Sequence, residues 1–193
     1  MSLILASNSA IRRAILDQAG LEFSVAPPDF DEESVKGGYV GDDASLALSL
    51  AQGKALSVGA GDDGWVIGSD SVVSVDGRRF SKPADRDQAA AHLRSFSGRT
   101  MSLSSAVALA TRGKVDWSHA ETARLQVRPL GEAFIQYYLD AEWPEVGYCV
   151  GVFRMEGHGV NLFDHVEGSH FTILGMPLLP LLGALRSREL MAS

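Results

Sequence analysis

Short apolar runs alternate with stripes of helical period along this chain, and polar or glycine-rich breaks separate them. Leu3-Ile4-Leu5-Ala6 reads as a buried strand. Ser7-Asn8-Ser9 then offers cap hydroxyls to a helix carrying Ile11, Ile15, Leu16 and Ala19 and stopping at Gly20. Phe23 to Ala26 is a second strand, ended by Pro27-Pro28, and an acidic loop follows from Asp29 to Glu33. Asp42 or Asp43 caps a helix with Leu46, Ala47, Leu50 and Ala51 on one side; Gly53 weakens its interior by about 1 kcal/mol relative to Ala. Trp65 to Gly68 is a buried strand ending at Ser69-Asp70-Ser71, continued by Val72 to Val75 up to the hairpin signal Asp76-Gly77. Asp85 with Gln88 resembles a capping box before the stripe Ala89, Leu93, Phe96. Two long strands, Met101 to Thr111 and Ala120 to Val127, precede a helix from Glu132 to Trp143. A strand over Val160 to Val166 and a terminal helix over Pro177 to Leu190 complete the order.

Strands and helices alternate, yet several neighbouring strands pair as hairpins, so the expectation is an α/β protein with a mixed sheet. The break Gly61-Asp62-Asp63-Gly64 is a candidate lobe boundary. At 193 residues the chain fits one domain, or two small lobes around a cleft. A chain of this size buries roughly 70% of its unfolded surface and folds without a staple.

Composition narrows the function classes. Seventeen Lys and Arg against 24 Asp and Glu give a net charge of −7, which argues against non-specific binding to nucleic acid or anionic membrane. The most apolar stretch, Phe171 to Leu185, is broken by Pro177 and Pro180 and is shorter than a spanning helix needs. The start, from Met1 to Ala6, has no basic leader and no long apolar region. Cys149 is the single cysteine, which suits a reducing compartment, and its apolar sequence neighbours suggest a buried thiol. The expectation is a cytoplasmic protein with no membrane and no nucleic-acid partner.

Candidate chemistry lies in a few places. Arg12 and Arg13 fall in the first turn of a helix, where cations oppose the dipole. An anion bound there, on backbone N–H groups and the Ser7 and Ser9 hydroxyls, compensates them; two solvated arginines are the equal alternative. Asp70, at the end of an apolar strand, suits a metal ion or a water proton, and a turn aspartate is its plain alternative. Lys54 and Lys82 suit a polyphosphate, and singly each is also an ordinary surface lysine. Glu32 and Glu33 suit a metal or simply a solvated loop. Gly157 and Gly159 beside Glu156 suggest a backbone that closely approaches a ligand or another strand. No Walker motif, Gly-x-Gly-x-x-Gly, zinc-ligand spacing or Gly-x-Ser-x-Gly elbow is present.

These same segments, taken in order, resemble one family. Leu5-Ala6-Ser7-Asn8-Ser9-Ala10-Ile11-Arg12-Arg13 is similar to the opening signature of the Maf proteins, nucleoside triphosphate pyrophosphatases also described as septum formation inhibitors. Asp31-Glu32, Leu50-Ala51-Gln52-Gly53-Lys54-Ala55, Gly68-Ser69-Asp70-Ser71-Val72-Val73 and Lys82-Pro83 resemble its further elements. Ser97-Gly98, Glu167-Gly168-Ser169 and Gly175-Met176-Pro177-Leu178 complete the series over nearly the whole chain.

The resemblance implies one Maf-like domain over residues 1–193, with an elongated, ITPase-like mixed sheet flanked by helices and two lobes around a deep cleft. It implies hydrolysis of a nucleoside triphosphate to a monophosphate and pyrophosphate with a divalent cation, Mg²⁺ or Mn²⁺. By matching position, Ser7, Arg12, Arg13, Lys54 and Lys82 hold phosphates, Asp70 accepts the proton and lies near the metal, and Glu32 helps hold it. The segment Phe153 to Phe163, with Glu156, is most similar to the branch acting on 7-methyl-GTP. A carboxylate there can accept the N1–H and 2-amino hydrogens of guanine and complements an N7-methylated, cationic ring. Ala10 replaces the usual proline. Ile11 and Ser71, the other two specificity positions, match neither this branch nor the dTTP/UTP branch. Base rates and the same likeness are compatible with a homodimer, which the sequence does not establish. The rival readings are a non-catalytic nucleotide-binding regulator of septum formation and an enzyme for another phosphate ester.

Overall fold

The computed structural model describes residues 2–61 and 63–192; Met1, Asp62 of the glycine-flanked break, and Ser193 lie outside them. In chain order the elements are β1 (Ser2–Ala6), α1 (Ala10–Gln18), β2 (Ser24–Ala26), α2 (Glu32–Gly37), α3 (Asp43–Leu56), β3 (Gly64–Val75) and β4 (Arg78–Phe80). There follow α4 (Arg86–Phe96), β5 (Thr100–Thr111), β6 (Lys114–Val127), α5 (Glu132–Glu142), β7 (Phe163–Glu167), α6 (His170–Ile173) and α7 (Leu178–Arg186). The sheet is mixed, as expected. Its order is β2-β1-β3-β5-β6-β7, with β4 paired to β3. β1 runs parallel to β2 and β3, whereas β3–β4 and β6–β7 are antiparallel.

By its internal contacts the chain forms two compact units. The first comprises Met1–Ser71, Ser104–Glu121 and Ser169–Ser193; the second comprises Val72–Leu103 and Thr122–Gly168. Gly61 and Gly64, on either side of Asp62, both belong to the first unit, so the unit boundary falls elsewhere. In the first unit Leu5, Leu16, Ile67, Leu109 and Leu181 belong to one buried apolar cluster, with Ile11 packed at its margin. In the second, Phe96, Leu125, Ile135 and Leu139 are buried, and Phe96 meets Phe80 edge-on at 4.7 Å.

Local chemistry accounts for the helix starts. The Ser9, Asp42 and Asp85 side chains accept the backbone N–H of Arg12, Ser45 and Gln88 and cap α1, α3 and α4. Asp76-Gly77 makes the tight turn between β3 and β4, where Val75 pairs with Arg78.

Three expectations change. The acidic run is not wholly a loop: Asp31 caps α2, which starts at Glu32, and Glu32 pairs with Lys36 one turn on. Ser69-Asp70-Ser71 does not end a strand, because β3 runs through it to Val75. β1 stops opposite Gly68, so Asp70 lies two residues beyond the carboxyl end of β1 instead of at an end of its own strand. The segment Val160–Val166 is a 3-10 turn over His158–Leu162 followed by β7.

α3 lies against β3 at Gly68, where an added Cβ falls 2.1 Å from the Ala51 carbonyl oxygen and 2.6 Å from the Ala55 nitrogen. Only a residue without Cβ admits that approach. Gly53 is explained in the same way: a Cβ there falls 2.3 Å from the Phe30 ring, so the glycine seats the segment leading into α2. Gly68→Ala must push backbone against backbone. It is expected to cost about 1–3 kcal/mol and to lower Tm by about 5 °C, read by thermal unfolding. A Tm equal to that of the unaltered chain contradicts this packing.

Candidate active site

In the first unit the β1–α1 turn and the first turn of α1 carry four of the expected residues. Ser7 is buried, and its hydroxyl accepts the Ser9 N–H at 3.1 Å. Arg13 is exposed, while Ile11 faces the apolar cluster. The Arg12 guanidinium donates from Nε to the Gly175 carbonyl (2.9 Å), from Nη1 to the Ser69 carbonyl (2.9 Å) and from Nη2 to the Ser71 hydroxyl (3.1 Å). Arg12 thus ties the start of α1 to β3 on both sides of Asp70 and to the segment before α7. Ser71 passes the chain on: its hydroxyl lies 2.8 Å from that of Ser105, which donates to the Thr172 carbonyl at 2.8 Å. Ser71 and Ile11 are therefore engaged within the protein.

The same unit holds a charged cluster. Lys54, on the last turn of α3, is 7% exposed, and Asp70 is 6% exposed. The Lys54 ammonium donates to Asp70 Oδ1 and lies 2.7 Å from Glu32 Oε1. The close approach of α3 at Gly68 brings Lys54 to Asp70 along the same face. Glu32 Oε2 pairs with Lys36 Nζ at 3.0 Å, and Lys36 also reaches Glu33 Oε1 at 3.1 Å. Burial raises the Glu32 carboxyl, but the hydrogen bonds and charges of Lys54 and then Lys36 outweigh it and hold the pKa at about 2. Burial lowers the Lys36 ammonium, yet Glu32, Glu33 and the charge of Asp70 raise it overall.

A carboxyl whose pKa falls from 4.5 to about 2 on folding stabilises the fold above pH 4.5. That stabilisation is lost as pH drops from 4.5 toward 2. Unfolding measured across this range is expected to be steeper in pH for the unaltered chain than for Glu32→Gln. Equal slopes contradict the pairing of Glu32 with the two lysines.

Glu32 and Asp70 present hard carboxylate oxygens to one point, the donor chemistry of Mg²⁺ and Mn²⁺. Such ions commonly take one or two carboxylates and fill the remaining positions with water and phosphate oxygens. Among the described residues no third His, Cys, Asp or Glu joins them in a metal-holding group. The pair fits such an ion as two of its ligands. The Lys54 ammonium is the cation between them in this structure.

In the second unit Lys82 is exposed, after β4 and before Pro83. Glu156 is exposed, and its Oε1 accepts from Arg154 Nε at 3.4 Å. Arg154 Nη1 reaches Glu142 Oε2 at 3.4 Å, and Glu142 Oε1 accepts the His158 backbone N–H at 2.7 Å. Gly157 is explained here: a Cβ on it falls 2.6 Å from Glu142 Oε1. Cys149 is half-buried, a correction to the buried thiol expected. Burial, and then the charge of Glu156, push its thiol up to about 11 against the opposing charges of Arg154 and Lys82. A thiol so raised is a poor nucleophile. Glu142, Arg154, Ser69, Ser105, Thr172 and Lys36 are the participants that sequence reasoning missed. Only Lys36 left a local signal, its spacing of four from Glu32.

Comparison with known proteins follows the same outline. The family model described as Maf-like protein matches residues 2–188. The chain belongs to the Maf family. A nucleoside triphosphate pyrophosphatase of Bradyrhizobium diazoefficiens is 44% identical over 98% of this chain and 95% of its own. A 7-methyl-GTP pyrophosphatase of Rhizobium meliloti is 44% identical over 95% of this chain and 94% of its own. Among solved structures, a nucleoside-triphosphatase (dITP/XTP pyrophosphatase) of Mycobacterium abscessus aligns over 66% of this chain and 73% of that one, with 19% identity and a TM-score of 0.39. No helix of the described residues is long and apolar enough to cross a membrane.

Proposed function

We propose that this Maf-family protein is a nucleoside triphosphate pyrophosphatase, releasing a nucleoside monophosphate and pyrophosphate. The observation that carries the reading is the buried Asp70–Lys54–Glu32 cluster beside the β1–α1 turn. Similarity over almost the full length to relatives named for this activity supports it. Water attacks the α-phosphorus, the bond from that phosphorus to the α,β-bridging oxygen breaks, and pyrophosphate leaves. Asp70 orients the water and takes its proton. Charge growing on the phosphate oxygens is stabilised by Lys54, by Arg12 and Arg13 with the Ser7 hydroxyl, and by Lys82. A Mg²⁺ or Mn²⁺ ion held by Glu32 and Asp70 supplies further positive charge when bound.

Glu156 takes the base edge, accepting from the N1–H and 2-amino groups of a guanine, and its charge favours an N7-methylated ring. This substrate preference parallels the name carried by the Rhizobium relative. The protein acts on free nucleotides in the cytoplasm, apart from membrane and nucleic acid. The test is turnover of 7-methyl-GTP, GTP, dTTP, UTP, CTP and ATP with Mg²⁺ and with Mn²⁺, scoring pyrophosphate and orthophosphate separately. Pyrophosphate from at least one nucleotide is the expected result. Orthophosphate alone overturns the reaction type, and tight nucleotide binding without any product favours a non-catalytic regulator.

A further inference from the structure

We infer that Glu142 and Arg154 set the base preference of this protein by controlling how much charge Glu156 presents. The inference rests on the proposal that Glu156 receives the base. The three side chains form a row in the second unit, with the Arg154 guanidinium shared between two carboxylates. Glu142 is 7% exposed, so its charge needs a partner. Its Oε2 takes Arg154 Nη1 at 3.4 Å, and its Oε1 takes the His158 N–H at 2.7 Å. Glu156 Oε1 takes Arg154 Nε at 3.4 Å, and no hydrogen bond reaches its Oε2 among the described residues.

One guanidinium serving two carboxylates leaves the row with an excess negative charge. Arg154 meets both at long distance and satisfies neither fully. The share drawn toward Glu142 determines what is left on Glu156 for a ligand. The backbone between them is fixed from one face of α5. Tyr138 donates to the Val152 carbonyl at 3.1 Å, and Glu142, one turn later, holds His158. A Cβ on Gly157 would fall 2.6 Å from Glu142 Oε1, so a side chain there would have to displace the carboxylate. Glu142 and Arg154 are thus positioning residues, and Glu156 is the group placed against the base.

The arrangement makes a prediction with opposite signs. Glu142→Gln releases Arg154 to pair fully with Glu156, which weakens attraction for a cationic base. Arg154→Met strips Glu156 of its counter-charge, which strengthens that attraction. A structural role alone lowers activity in both variants and leaves the choice of base alone.

The experiment measures KM and kcat for 7-methyl-GTP and GTP in the full-length protein, with thermal unfolding of each variant alongside. The KM ratio of GTP to 7-methyl-GTP is expected to fall about two- to fivefold in Glu142→Gln and to rise by a similar factor in Arg154→Met, with kcat nearly unchanged. Arg154→Lys keeps the charge and is expected to restore much of the ratio. Arg154→Met leaves the buried Glu142 with only the His158 ring, whose Nδ1 is 3.7 Å from Oε1, so Glu142→Gln/Arg154→Met serves as the folded form if the single variant unfolds. That double variant is expected to show the raised ratio. Ratios unmoved, or moved in one direction by every variant, overturn the inference. Glu156→Gln separates the failures: a ratio that collapses in Glu156→Gln but stays fixed in the Glu142 and Arg154 variants overturns this inference alone. A ratio indifferent to Glu156→Gln overturns the base assignment and the inference with it.

Discussion

Asp70→Asn is expected to reduce pyrophosphate release by about 10²- to 10⁴-fold, the usual contribution of a positioned general base. The substitution keeps the shape of the side chain and removes the charge. The asparagine still offers an oxygen to the Lys54 ammonium, and Lys54 keeps its 2.7 Å contact with Glu32. The fold should survive, so circular dichroism and Tm near those of the unaltered chain should accompany the loss. The loss should lie in kcat more than in KM, because the phosphate-binding groups are separate side chains. A variant that is folded and retains most of its rate overturns the role given to Asp70.

Lys54→Met carries the largest expected effect on stability. Lys54 is the common partner of Glu32 and Asp70, and Asp70 is 6% exposed. Glu32 retains Lys36 at 3.0 Å, whereas Asp70 is left charged in a buried place. Removing one member of a buried pair typically costs about 3–5 kcal/mol, which for a chain of this length lowers Tm on the order of 10 °C. The double variant Lys54→Met/Asp70→Asn removes the stranded charge and should recover a good part of that loss. Equal stabilities of the single and double variants contradict a direct Lys54–Asp70 coupling.

The residues that were legible in the sequence are those whose signals are local. Ser9 capped its helix because the cap and the stripe lie within a few residues of each other. Asp76-Gly77 turned a hairpin for the same reason. Asp70 stands out in the sequence as a carboxylate next to an apolar run, but its surroundings do not. Three polar residues in a row suggested the end of a strand. Each instead finds a distant partner: the Ser69 hydroxyl lies 2.8 Å from the Ala106 carbonyl and 3.0 Å from that of Gly175, Asp70 meets Lys54, and Ser71 meets Ser105. Polar side chains so satisfied can stay inside a sheet.

Arg12 breaks a local electrostatic rule in the sequence, and in the fold its guanidinium finds partners that no local pattern shows. Its partners Ser69, Ser71 and Gly175 lie 57, 59 and 163 residues away. The acidic run near Glu32 looked solvated because its cations are Lys36, one turn on, and Lys54, on another helix. Glu142 and Arg154 gave no signal, since their pairing depends on where α5 ends against the turn at Gly157.

The proton-accepting role of Asp70 and the site of attack meet in one measurement: turnover of the best nucleotide in H₂¹⁸O, with each product analysed for label. The account predicts one ¹⁸O in the nucleoside monophosphate, none in the pyrophosphate, and label incorporation by Asp70→Asn slowed about 10²- to 10⁴-fold. Label in pyrophosphate or orthophosphate places the attack at another phosphorus and contradicts it.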